Sequence, residues 1–198
     1  MRWGFAAISL LALALAAGCN VEVNKNSHGE DKDVKISTPL GGIAVKTNKT
    51  DAGDLGLPAY PGAQISDRNK GDKSANVNMG FGPFQLRVKA VNYSSPDSRD
   101  KVVEFYRKAL AAYGDVIECR GNKPVGSRAI TSEGLSCSDT DSSHGNFQTG
   151  DHGLQLKAGS RHHQHLVVFE DNHESSTQFA LIALDLPHTS ENKRAETN

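Results

Sequence analysis

Two kinds of periodicity organise the chain. In residues 74–95, SANVNMGFGPFQLRVKAVNYSS, Val77, Met79 and Phe81 recur at every second position, which is the period of a strand. After Gly82-Pro83 the alternation resumes through Phe84, Leu86, Val88 and Ala90, with Gln85, Arg87, Lys89 and Val91 on the other side. One face is mostly apolar and the other mixed, as in an antiparallel sheet with a wet side. Residues 33–47 give the same signal as a hairpin: Val34 and Ile36, then Ile43 and Val45, with Pro39 and Gly41-Gly42 between them.

Residues 95–115, SPDSRDKVVEFYRKALAAYGD, change period. Val102, Tyr106, Ala109, Leu110 and Tyr113 fall three or four apart, which predicts one main helix over about 96–113. Ser95 is placed to cap it, Pro96 suits its first turn, Asp97 favours its positive end, and Gly114 offers a left-handed stop. Pro58 and Pro61 hold residues 56–65 extended, with Leu57 and Tyr60 as packing anchors. Short strands are expected at 115–119, 135–138, 153–157, 165–170 and 178–186, and a polar loop over 138–153. Strands, one helix and more strands predict a single α+β domain over 33–186. In it an antiparallel sheet carries the helix on one face.

The first residues fit neither period. Met1-Arg2 is a positive start, and Trp3 to Ala17 is almost wholly apolar. That run is shorter than the roughly 20 residues a membrane-spanning helix needs, and it reads as an export signal. Its end, Leu15-Ala16-Ala17-Gly18-Cys19, resembles the lipobox of bacterial lipoproteins, although Ala16 stands where the commonest form has leucine. The resemblance implies removal of the signal peptide 1–18 and two or three acyl chains on Cys19. One chain alone anchors marginally, while two anchor stably. A plain secretory signal with an incidental Cys19 is the simpler alternative. The polar residues 19–32 then read as a flexible tether with a reach on the order of 20 Å, and 187–198 as a disordered polar tail. The same resemblance implies a slight preference for the outer membrane, where the organism has one and sorts as enteric bacteria do, because Asn20 rather than Asp follows the cysteine.

This address changes the cysteine arithmetic. Three cysteines are an odd number; with Cys19 acylated, Cys119 and Cys137 remain. In an oxidising compartment they are expected to form a disulfide rather than stay as two buried thiols. Composition adds exclusions. Hydrophobic residues make up 37% of the 198 positions, a low share that predicts a modest core. Lys+Arg number 22 against 23 Asp+Glu, and no basic block suggests nucleic acid. LPAYPGA, the paired strands and VVEFYRKAL together are similar to small exported bacterial domains with a "YPGA…FY…L" pattern. That resemblance spans roughly 57–119 and implies the α+β fold without an activity.

Candidate chemistry centres on RHHQHLVVFED, residues 161–171. On a strand His163 and His165 share a face, with His162 opposite, and two such imidazoles can bind zinc or copper. The remaining ligands would come from His144, His152, Asp139, Asp141, Asp151 or His173, none of which the sequence brings near. Asp139, Asp141 and Asp151 fall short of a calcium loop, with His144 where glycine is needed and Gly150 in place of the final glutamate. Tyr60, Phe81, Phe84, Tyr93 and Phe147 fit a core better than a ligand surface. Nucleophile-elbow, zinc-protease and phosphate-loop motifs are absent from the sequence. The expected function is therefore a lipid-anchored envelope module with the membrane, and an envelope protein, as partners. The alternatives are a periplasmic zinc or copper protein built on His163 and His165, and an enzyme without a recognisable motif.

Overall fold

The structure, a computed structural model, describes residues 19–25, 32–66, 73–140, 153–171 and 176–187. Among these described residues, eleven strands make one sheet. They are β1 (Asn20–Lys25), β2 (Lys32–Thr38), β3 (Gly41–Thr47), β4 (Gln64–Ile65), β5 (Ser74–Phe81), β6 (Phe84–Ser95), β7 (Ile117–Arg120), β8 (Lys123–Pro124), β9 (Leu154–Gly159), β10 (His163–Phe169) and β11 (Thr177–Asp185). The spatial order is β1-β2-β3-β5-β6-β11-β10-β9-β7-β8, with β4 pairing β6 off that path. Every pairing is antiparallel. The one α-helix among the described residues, α1, covers Arg99–Leu110 and continues as a 3-10 turn, Ala111–Tyr113. The fold is α+β, as the two periodicities predict.

The helix defines a front face. Val102, Val103, Tyr106 and Leu110 of α1 pack on Val91 and Tyr93 of β6, Phe179 and Leu181 of β11, Val167 and Phe169 of β10, and Leu156 and Ala158 of β9. This is the mixed side of β6. It can take the helix because it turns apolar at Val91 and Tyr93, beyond Gln85, Arg87 and Lys89. On the back, Val88, Leu166, Val168, Ala180, Ile182 and Leu184 form a second cluster. A strap, residues 51–63, crosses the helix end of the front face. Its Leu57 is buried, Tyr60 meets Phe105 edge-on at 5.1 Å, and the Tyr106 hydroxyl donates to the Pro58 carbonyl at 3.2 Å. The YPGA and FY stretches are thus two sides of one contact.

Cys119 and Cys137 are joined in a disulfide, with Cα atoms 5.6 Å apart. The bridge packs on Ile117 at the back of the sheet. Buried Lys157 of β9 donates to the Cys137 carbonyl at 2.8 Å, which ties the 121–136 segment down. Closing such a loop stabilises the fold by about 3 kcal/mol in the chain-entropy view.

Several boundaries differ from the sequence reading. Asn20–Lys25 is a strand and not a loose tether: Val21 pairs with Ile36 and Val23 with Val34. Two valines at strand period sit within that polar run and supply the signal. The helix starts at Arg99 with Ser98 as the extended N-cap residue. Ser95 closes β6, and its Oγ accepts from the Asp97 N–H at 3.1 Å. Gly114, at φ 116° and ψ −156°, is not a left-handed helical stop; a side chain there would run into the Glu133 carboxylate. The 135–138 stretch is a bridge, Ile130 to Ser136, followed by a 3-10 turn, Cys137–Thr140. The β2–β3 loop is only Pro39-Leu40, with Gly41 and Gly42 inside β3. The expected signal peptide 1–18, most of the expected 138–153 loop and the expected tail from 188 onward lie outside the described residues.

Candidate functional site

Strand register decides which groups share an end of the sheet. Asn20 pairs with Ser37, so Cys19, one residue earlier, stands at the level of Thr38 beside the β2–β3 turn. Gly41 pairs with Phe81, and Phe81 with Phe84. The Pro39-Leu40 and Gly82-Pro83 turns therefore point the same way as Cys19. Cys19 is exposed and unpaired. Leu40 is 82% exposed, Phe81 40% and Phe84 38%. Tyr60 and Tyr93, by contrast, are core residues, so the five aromatics divide; Phe147 lies outside the described residues. Near this end a shallow cavity of about 370 Å³ lies along β2, β3, β5 and β6, lined among others by Lys35, Ile43, Met79, Leu86 and Arg87.

The histidine strand forms a second candidate. His163 and His165 share the front face, as their spacing predicts, but each is engaged separately. His163 Nδ1 lies 2.9 Å from Asp185 Oδ1 across the β10–β11 pair. The His165 ring stacks on Tyr113, 3.6 Å between centroids and 20° between planes. It also hydrogen-bonds the Leu55 backbone, and burial pushes its pKa below the ordinary histidine value. Its Nδ1 is buried without a partner. The Tyr113 hydroxyl donates to the Gly56 carbonyl. Gly56, at φ 73°, needs its missing side chain because a Cβ would strike that hydroxyl. His165 is thereby a joint between the strap, the end of α1 and the sheet.

Of the other ligand candidates, only Asp139 is among the described residues. Asp139 lies in the Cys137–Thr140 turn at the back; His144, His152, Asp141, Asp151 and His173 lie outside the described residues. Among the described residues no three His, Cys, Asp or Glu side chains converge. A third polar set sits at the helix start. The Tyr60 hydroxyl donates to Asp97 Oδ2 at 2.9 Å, and Lys101 Nζ approaches Asp97 Oδ1 at 3.0 Å. The Lys101 and then the Tyr60 hydrogen bond hold the Asp97 carboxyl below its usual pKa. This set fastens the strap to α1.

The sequence reading missed the Tyr113–His165 stack and the shared end of the two hairpins. Neither has a local signature, because each joins residues distant in sequence. Set against family models, curated proteins and solved structures, the chain matches none.

Proposed function

We propose that this chain is an exported lipoprotein. The signal 1–18 is removed, Cys19 carries the acyl chains, and the α+β domain acts at the membrane surface as a binding or structural module of the cell envelope. The observation that carries this reading is the pairing of Leu15-Ala16-Ala17-Gly18-Cys19 with an exposed, unpaired Cys19 at the head of β1. The Cys119–Cys137 bridge supports it, since such bonds persist in oxidising compartments. Asn20 after the cysteine favours the outer membrane where that sorting operates. Labelled palmitate tests the reading: the label is expected on the wild-type chain and lost in Cys19→Ala. An unlabelled wild type, or a label that survives Cys19→Ala, overturns it.

A further inference from the structure

The two hairpin tips that share this end of the sheet with Cys19 have the wrong chemistry for water. Loop tips normally carry Gly, Asn, Asp or Ser. Here the β2–β3 turn presents Leu40, and the β5–β6 turn is bracketed by Phe81 and Phe84, all exposed. Val21, 60% exposed, adds a fourth apolar side chain two residues after Cys19. Among the described residues, eight large apolar side chains are exposed; Val21, Leu40, Phe81 and Phe84 are four of them and share this one end. Clustered exposed apolar groups mark a surface that is covered in use.

We propose that this end of the sheet, Leu40 with Phe81 and Phe84, inserts into the lipid interface beside the acyl chains of Cys19. The inference rests on the anchored reading and adds an orientation to it. Three observations point to lipid as the occupant. First, β1 begins one residue after Cys19, so acyl chains on Cys19 bring this end, and no other, to the bilayer. Second, the tips sit side by side along β1, β2, β3, β5 and β6. Four inter-strand steps of ~4.8 Å make an edge roughly 19 Å wide, and Phe and Leu are side chains suited to the acyl boundary. Third, Lys35 and Arg87 lie on one row, three residues in from the Phe81–Phe84 pair. At ~3.4 Å per residue that is about 10 Å deeper into the domain, just past a headgroup layer of roughly 5–7 Å when the tips rest at the acyl boundary, a gap that long Lys and Arg side chains can bridge to lipid phosphates.

The test uses the full chain, exported and purified with its lipid, in phosphatidylethanolamine–phosphatidylglycerol vesicles containing acyl-brominated lipid. Trp3 is the chain's one tryptophan and leaves with the signal, so an introduced tryptophan reports alone. Leu40→Trp and Phe84→Trp probe the tips. Ile65→Trp is the control: Ile65 is also exposed but pairs with Tyr93, nine residues along β6 from Phe84. Bromolipid is expected to quench both tip variants at least twofold more than the control. Equal quenching in a chain whose intact mass carries acyl groups overturns the insertion and leaves the anchor standing. Tips shielded from iodide in a dimer but unquenched by bromolipid also overturn it, in favour of a second copy as occupant. An intact mass with unmodified Cys19 overturns the anchored reading, and the insertion with it.

Discussion

The sheet has two halves that follow different rules. From β6 through β11 and β10 to β9 it is covered by α1 and the strap, and Val91, Tyr106, Leu156, Val167, Phe169 and Leu181 are sealed from solvent. Within strands β1, β2 and β3 no residue is buried; the side chains are exposed or half-buried throughout. One half is a core with a sheet in it. The other is a plank, held by its ladder and by one-sided contacts among Val34, Ile36, Ile43, Val45, Val77 and Met79. Stability should therefore reside in the first half, while the second is free to meet another surface.

The largest expected effect belongs to the core. Tyr106 is fully buried against Phe105 and Phe179, so Tyr106→Ala should cost about 3–5 kcal/mol in urea unfolding. Val45→Ala in the plank should cost only about 1 kcal/mol, the value of a partly buried methyl pair. Similar losses at both sites would erase the distinction. Next comes the bridge: the double change Cys119→Ser with Cys137→Ser should lower stability by about 3 kcal/mol. Its midpoint shift should be reproduced by reductant on the wild type.

How much of this was legible varies with distance along the chain. The hairpin 33–47, the strand pair 74–95 and the helix were readable because each is set by its own residues at one period. The valines of β1 were readable too, but four polar neighbours masked them. The 121–140 segment was not, since its shape is set by the bridge and by Lys157 rather than by local pattern. At the candidate site, Cys19 was visible as a motif and the cysteine pair by counting. The meeting of Leu40 with Phe81 and Phe84 was not, because it depends on β3 pairing with β5 across residues 48–73.

Hydrogen exchange sharpens the contrast without mutation. Amides of β2 and β3 should exchange through local openings at lower free energy than those of β10 and β11. Equal protection would mean that the plank and the core unfold as one unit. The smallest effect concerns pH. Burial lowers the pKa of His165 in the folded chain, so the unfolded chain takes up its proton first as pH falls. Its contribution is fully present above the unfolded value of about 6.5 and shrinks as pH drops toward the folded value. The melting temperature should decline over that window, and His165→Phe should flatten the decline; an unchanged slope would remove His165 as its source.

The absence of slack between Cys19 and β1 has a mechanical consequence. Ladder hydrogen bonds in an antiparallel pair run perpendicular to the strands. A tug on Cys19 directed along β1 would load the Asn20–Lys25 rungs against β2 in shear, all six pairs sharing the force. Were Cys19 acylated as proposed, the domain would resist extraction with its outermost strand as a whole, where a peeling geometry would surrender one rung at a time.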